Sequence, residues 1–137
     1  APQEMADLIN AQRCASGGNP VAVSGLLNQA AETYSRYMLG EESVNADGGP
    51  GAVIAATGYQ REGGWGMNVC AGFEDSVQPF FDAWWGYGSQ TMMLNSAWTQ
   101  IGVGLITGDM TGFSYITVFY SSPEGEKPDI TCDELGF

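Results

Sequence analysis

The spacing of apolar residues predicts two amphipathic helices at the beginning of the chain. The first covers about residues 3–15 and ends at a run of glycine, asparagine and proline over residues 17–20, because these residues interrupt helices. A short extended segment, 21–23, follows it. The second helix begins after Ser24, whose side chain can cap the first turn, and ends at Gly40. One face of this helix carries Leu26, Leu27, Ala30, Ala31, Tyr34 and Met38.

The pattern changes over residues 41–64, where glycine and turn-forming polar residues surround one apolar segment at 51–57. This composition predicts a long irregular connection that contains one short helix. Long connections of this kind often carry functional residues, since a rigid scaffold can present them to a partner.

An aromatic segment then predicts a third long helix. Asp75 or Ser76 can cap it, and Pro79 is tolerated in its first turn. The helix ends at the glycines around Tyr87, and its apolar residues are Val77, Phe80, Phe81, Trp84 and Trp85. We expect this helix to lie between the sheet and the long connection. The alternative is that part of its aromatic surface contacts a lipid or a protein.

Two later segments alternate apolar residues with small or polar ones. They cover residues 101–106 and 113–120, and residues 107–112 between them favour a turn. The pattern predicts an antiparallel β-hairpin. Residues 122–137 contain two prolines and six charged side chains, so we expect them to form an acidic C-terminal tail.

The length and the charge of the chain limit the number of domains it can form and the partners it can bind. We expect residues 1–137 to form a single domain, since domains mostly contain about 100–150 residues. The chain has 16 Asp and Glu against 4 Lys and Arg, a formal net charge of −12, so nucleic acid and anionic lipid surfaces would repel it. No apolar segment approaches the roughly 20 residues that span a membrane. We therefore expect no nucleic-acid partner and no membrane insertion.

Catalytic residues are not evident in the sequence. The chain contains no histidine, which excludes an imidazole base or metal ligand. Its one lysine, Lys127, lies in the predicted tail. Glu41–Glu42 and Glu74–Asp75 are adjacent pairs whose side chains diverge, and we interpret the acidic loop up to Asp47 as solvated surface rather than a calcium site. We predict no enzyme activity; the alternative is a hydrolase that acts through carboxylates.

Three groups of residues, in order along the chain, resemble a known family. The first group is Leu8, Ile9, Asn10, Gln12 and Arg13, followed by Pro20 and then by Leu27, Ala30, Ala31, Tyr34 and Ser35. The second is Gly66–Val69 with Ala83–Trp84, and the third is the segment L-N-S-A-W-T-Q-I-G-V-G over 94–104. Together they resemble microbial CAP domains, the cysteine-rich secretory, antigen 5 and pathogenesis-related 1 proteins. The resemblance implies the α+β class: a three-layer α-β-α sandwich with a small antiparallel sheet.

The resemblance also locates a degenerate metal site. Many CAP domains place two histidines and two glutamates around a central cleft, a ligand set that suits zinc. In this chain the positions that match are Glu42 or Ser43, Met67, and Ser89 or Gln90. The resemblance therefore implies a cleft without metal or cofactor, made less polar by Met67. Candidate residues of the cleft mouth are Trp65, Asn68 and Tyr87.

The chain has three cysteines, Cys14, Cys70 and Cys132, with no C-x-x-C pair. Their number predicts one disulfide and one remaining thiol. In the resemblance, Cys70 stands where related chains carry an alanine in the core, which implies a buried free thiol. Cys14 and Cys132 then remain as the disulfide pair.

The resemblance implies a secreted, extracellular and monomeric protein with a non-enzymatic binding or interaction role. The chain opens into a helical pattern without signal-peptide features, so either a leader has been removed or none existed. The implied partners are a lipid or sterol, or a host protein that recognises a virulence or defence-related factor. The alternatives are the carboxylate-dependent hydrolase, and a factor recognised purely by its surface, without a small ligand.

Overall fold

The computed structural model describes residues 1–125 and 130–137. The centre of the predicted tail, including Lys127, lies outside the described residues. Within them the chain forms five helices and four strands, in the order α1 Pro2–Ala15, β1 Ala22–Val23, α2 Gly25–Glu41, α3 Pro50–Ala56, β2 Gly66–Gly72, α4 Gln78–Gly86, α5 Gln90–Leu94, β3 Gln100–Thr107 and β4 Ser114–Ser121. Ser24 caps α2 as predicted, since its hydroxyl oxygen accepts a hydrogen bond from the N–H of Leu27.

The strands form one mixed sheet in the order β1-β3-β4-β2. The predicted hairpin is confirmed as the antiparallel pair of β3 and β4, in which Thr107 lies opposite Ser114. β2 is antiparallel to β4, with Gly66 opposite Tyr120. β1 runs parallel to β3, a pair that the expectation of an antiparallel sheet did not include. The intervening helices and β2 provide the long crossover that parallel strands require.

Helices cover both faces of the sheet and produce three layers. α2 and α3 lie on one face over a buried cluster of Leu27, Ala30, Ala31, Tyr34, Met38, Ile54, Tyr59, Tyr115 and Phe119. α1, α4 and α5 lie on the other face, where the cluster includes Met5, Ile9, Phe80, Phe81, Trp84, Met93, Ile116, Val118 and Tyr120. β4 is buried along its whole length, because successive side chains enter opposite clusters. The α+β class and the α-β-α sandwich are confirmed.

Two glycines let α2 lie directly against β3. A Cβ atom at Gly102 would stand 2.0 Å from the carbonyl carbon of Leu27. At Gly104 it would stand 2.3 Å from the backbone nitrogen of Glu32. Ser35 lies in the same contact and donates a 2.7 Å hydrogen bond to the carbonyl oxygen of Gly104. A residue with a side chain at either glycine therefore requires the helix to move away from the strand.

Arg13 is buried where α1, α5 and the start of β3 meet. Its guanidinium donates hydrogen bonds to four backbone carbonyl oxygens: Asn19 at 2.7 Å, Met93 at 2.7 Å, Asn95 at 3.0 Å and Trp98 at 3.1 Å. Burial lowers the pKa of this guanidinium below its ordinary value, because the charge has lost its hydration. The carbonyl oxygens replace that water.

α4 differs in two ways from its predicted placement. Its first residue is Gln78, and Val77 precedes it without a capping side chain, so neither Asp75 nor Ser76 caps the helix. α4 also packs beside α1 on the sheet rather than beneath the long connection, since its aromatic residues share a cluster with Met5. The long connection supplies α3 to the opposite face.

Two predicted apolar side chains are less buried than expected. Leu26 belongs to the predicted apolar face of α2, yet it is exposed, because a helical residue points about 100° away from its neighbour and Leu27 occupies the core. Cys70 was expected in the core but is only partly buried. It lies on β2, one of the two edge strands of the sheet, at the margin of the cluster on the α1 side.

A disulfide bond joins Cys14 at the end of α1 to Cys132, 118 residues later in the sequence. Cys70 is free, and burial raises the pKa of its thiol. The bond therefore holds the described end of the tail, residues 130–137, to the α1 layer.

Gly102→Ala is predicted to lower the free energy of unfolding by about 3 kcal/mol, because the new methyl group overlaps the backbone of α2. Urea denaturation followed by circular dichroism measures the change. Gly40→Ala is the control: Gly40 lies in α2, with no atom close to an added Cβ, and the variant should stabilise the protein by about 0.5–1 kcal/mol. Equal effects of the two variants would contradict the close approach.

Arg13→Met is predicted to cost about 3 kcal/mol of stability, because it removes the donor of four backbone carbonyl oxygens, of which those of Met93 and Trp98 are in buried hydrogen bonds. Arg13→Lys should also destabilise, since an ammonium cannot reproduce the planar set of donors. The control is Arg36→Met, which removes an exposed guanidinium 3.9 Å from Glu32 and should change stability by no more than about 0.5 kcal/mol. If Arg13→Met lost only a small part of this stability, water would be replacing the guanidinium as the partner of the carbonyl oxygens.

Replacing both Cys14 and Cys132 by serine is predicted to lower stability by about 4 kcal/mol, because the bond closes a very long loop. Cys70→Ala should cost about 1 kcal/mol or less, since its side chain is only partly buried. Thermal unfolding of the two variants makes the comparison. Peptide mapping that joined Cys70 to either of the other cysteines would contradict the observed pairing.

Candidate functional site

The space around Met67 is occupied by aromatic side chains. Met67 lies on β2 and packs against the cluster beneath α2, which contains Tyr34 and Phe119. Trp65 stands edge-on to Phe119 with 6.2 Å between ring centroids, and its indole lies against Gly51 of α3. Aromatic side chains therefore pack around Met67 on this face of the sheet, although Met67 and Trp65 are each only partly buried.

The loop after α2 lies over the same region. The hydroxyl of Tyr34 donates to the carbonyl oxygen of Asn45 and accepts from the N–H of Gly48. The amide of Asn45 donates to the hydroxyl of Tyr37 at 3.1 Å. These contacts hold the loop against α2 and the aromatic cluster.

The other positions of the predicted site lie on separate elements. Glu42 and Ser43 are exposed at the end of α2, where Glu42 adopts a left-handed backbone with φ 53°. Ser89 precedes α5, and Gln90 is exposed with its amide donating to the carbonyl oxygen of Trp85. The next turn of α5 packs into the cluster on the α1 side of the sheet. Met67, in contrast, packs on the α2 side.

The candidate residues of the cleft mouth also have different surroundings. Asn68 is buried, and its side-chain oxygen accepts a 2.7 Å hydrogen bond from the hydroxyl of Tyr120. Trp65 is half-buried, whereas Tyr87 is 91% exposed at the end of α4. Asn68 thus supports the core rather than a surface.

The residues at the matched positions do not fit a zinc ion. They offer one carboxylate, from Glu42, together with hydroxyl, amide and thioether groups, whereas zinc in proteins is held by several Cys, His or carboxylate ligands. In residues 1–125 and 130–137, no three His, Cys, Asp or Glu side chains are grouped so that they could hold a metal.

A groove at one end of the sheet is lined by aromatic residues together with a carboxylate. It has a volume of about 360 Å³ and lies where α2 ends, β2 gives way to the loop before α4, and the β3–β4 hairpin turns. We call it the hairpin groove, and its lining residues are Leu39, Glu42, Phe73, Thr111, Phe113 and Tyr115. Glu42 is the only residue of the predicted metal site that lines it.

Aromatic rings form the floor of the hairpin groove. Phe73 is 76% exposed, and its ring centroid lies 4.7 Å from that of Phe113 at an interplanar angle of 72°. Phe113 in turn lies 5.4 Å from the buried Tyr115 at 78°. This edge-to-face series, a favourable aromatic geometry, connects an exposed ring to the core.

One carboxylate lines the groove, and three more lie within two residues of lining residues in the sequence. Glu42 lines the groove, Glu74 and Asp75 directly follow Phe73, and Asp109 lies in the hairpin turn. All four are exposed. No lysine or arginine is among the lining residues of the described groove.

The hairpin groove is not among the sites predicted from the sequence. A phenylalanine between Gly72 and Glu74 in a loop was a visible signal, since a large apolar residue among polar ones often marks a contact site. Its neighbour Phe113 lies 40 positions later in the sequence, and local periodicity carries no information about that pairing.

Two further grooves lack such a combination. One, of about 480 Å³, lies between α2 and α3 and is lined mainly by small residues such as Thr33, Ala52 and Ala56. The other, of about 290 Å³, borders the disulfide between Cys14 and Cys132. Among the helices in the described parts of the chain, none is long and apolar enough to cross a membrane.

Comparisons with known proteins agree with this fold. Structural similarity extends to an outer surface protein of Borrelia burgdorferi, with a TM-score of 0.75 and 13% identity over 89% of this chain and 92% of that one. It also extends to an extracellular SCP-domain protein of Bacillus anthracis, with a TM-score of 0.74 and 20% identity over 87% of this chain. The CAP domain of enterococcal PrgA gives a TM-score of 0.62 at 17% identity, covering 92% of this chain and 61% of that one.

The chain spans only 39% of the Bacillus anthracis structure. No curated protein matches the sequence. The model of the cysteine-rich secretory protein family, CAP, matches residues 6–121, which is most of the chain. The chain therefore belongs to the CAP family of cysteine-rich secretory proteins.

Proposed function

We propose that this CAP domain is a secreted, monomeric, non-catalytic binding domain that recognises a protein partner through the hairpin groove. The observation that carries the proposal is the exposed Phe73 ring, held by Phe113 above a buried tyrosine. An exposed aromatic side chain in a fixed orientation provides apolar contact area at a low entropic cost. Such residues are enriched among the energetic centres of protein interfaces.

A protein partner fits the groove better than a lipid or sterol. Its volume of about 360 Å³ is near the lower end for pockets that enclose small ligands. The groove is also open to solvent along its aromatic floor, since Phe73 remains largely exposed. Near Met67, where the resemblance implies a cleft for an apolar ligand, Trp65 and Met67 pack against the aromatic cluster, which leaves less room for such a ligand.

The non-catalytic part of the proposal rests on residue chemistry. Acid–base work requires a titrating group beside the reacting atoms, and the chain contains no histidine. A carboxylate pair must converge across a substrate, whereas Glu74 and Asp75 are adjacent in a loop. No observation in the described chain favours the hydrolase.

Secretion is supported by the disulfide, because such bonds form and persist mainly in oxidising compartments. Two structural neighbours are described as an outer surface protein and an extracellular protein. The disulfide between Cys14 and Cys132 therefore favours an oxidising, extracellular environment for this chain.

Selection from a random dodecapeptide display library on the intact protein tests the proposed function. Peptides that bind the wild type should lose at least about tenfold in affinity on Phe73→Ser, because the variant removes the apolar contact. Tyr87→Ser is the matched control, since it removes an aromatic ring that is 91% exposed elsewhere, and it should leave binding unchanged. If no selected peptide depends on Phe73, the groove is not a protein-binding site.

A lipid assay accompanies the selection. Phosphatidylcholine vesicles with and without cholesterol should not sediment the protein. Cholesterol-dependent sedimentation that Phe73→Ser abolishes would place a sterol, rather than a protein, in the hairpin groove.

A further inference from the structure

The charge around the hairpin groove defines the partner more narrowly. Resting on the proposed function, we infer that the groove binds a positively charged, extended peptide segment of the partner protein, which inserts one large apolar side chain against Phe73 and Phe113. The apolar floor and the acidic rim occur together in this groove. A basic segment with an apolar anchor complements both.

Exposed carboxylates from three parts of the chain line the groove or lie within two residues of its lining residues in sequence, and we call them the rim. Glu41 and Glu42 end α2, Glu74 and Asp75 begin the loop after Phe73, and Asp109 lies in the hairpin turn, all of them exposed. Their carboxylates form no salt bridge in the described residues. Each is therefore available to a cationic partner.

None of the three arginines, which are the Lys or Arg side chains within residues 1–125 and 130–137, lines the groove. Arg13 is buried beneath α5, and the guanidinium of Arg61 donates to the carbonyl oxygen of Gly63. Arg36 is on α2, but it pairs with Glu32 one turn earlier in the helix, farther from the groove. Within the described chain the rim charge is thus not neutralised internally.

The negative charge of the protein favours basic partners over acidic ones. With a formal net charge of −12, the protein repels acidic chains, and the repulsion is strongest where carboxylates concentrate. A basic segment is attracted during its approach, and the attraction raises its association rate. The apolar contact at Phe73 then slows dissociation, because it is not screened by salt.

The groove accommodates a side chain rather than a folded surface. Its volume is about 360 Å³, and six residues line it. Thr111 and Glu42 supply polar atoms beside the aromatic floor, which is the arrangement of an apolar anchor point with an orienting edge. One leucine, isoleucine or phenylalanine flanked by lysine or arginine matches these dimensions.

The peptides selected on Phe73 test the inference. They should share an aliphatic or aromatic residue within two positions of lysine or arginine, and they should carry a net positive charge. Neutral or acidic peptides that still depend on Phe73 would overturn the charge assignment and leave the proposed function intact. A selection that yields no Phe73-dependent peptide would overturn both.

Charge variants provide the second measurement, made with one selected peptide by fluorescence anisotropy. The double variant Glu42→Gln, Asp109→Asn should weaken binding by about fivefold or more. Glu4→Gln, Asp7→Asn removes the same charge from α1 on the opposite layer and should change affinity by less than about twofold. Raising sodium chloride from about 50 to 500 mM should weaken wild-type binding more than that of the rim variant. Equal effects of the two double variants would show that only net charge matters and would overturn a local basic site.

Discussion

The buried guanidinium of Arg13 determines how the layers of this domain meet. It donates to carbonyl oxygens of the loop after α1, the end of α5 and Trp98, two residues before β3. A buried charge that has lost its water needs all of these partners, so the three segments hold one arrangement relative to one another. Asn10, one turn earlier on α1, adds two hydrogen bonds to the backbone of Val21, which leads directly into β1.

On the opposite face the constraint is steric. Gly102 and Gly104 allow α2 to contact the backbone of β3, and β4 is enclosed on both faces as a result. Trp65, Tyr34 and the loop at Gly48 then fill the face near Met67. The last turn of α2 marks one end of this covered part of the sheet. The hairpin groove lies there, so its surface residues can change without disturbing the core.

Surface residues are separate from the residues that stabilise the fold, and this explains how a CAP fold is kept without the histidines of the family's metal site. Glu42 and Met67 lie on different elements, and neither carries the fold. Residues that do stabilise the fold, such as Arg13 and Gly104, belong to the motifs that resemble the family. Their requirements are packing and hydrogen bonding, which do not depend on a metal.

The local pattern of residues was sufficient for the two long helices, the Ser24 cap and the β3–β4 hairpin, because periodicity and capping act over a few neighbouring residues. Composition likewise established the absence of histidine and the strong negative charge. Tertiary contacts decided that β1 is parallel to β3, that α4 packs beside α1, and that Leu26 faces solvent. They also decided that Phe73 meets Phe113 across 40 positions. Such contacts depend on how the whole chain closes around Arg13 and the two glycines, and no short segment of sequence contains that information.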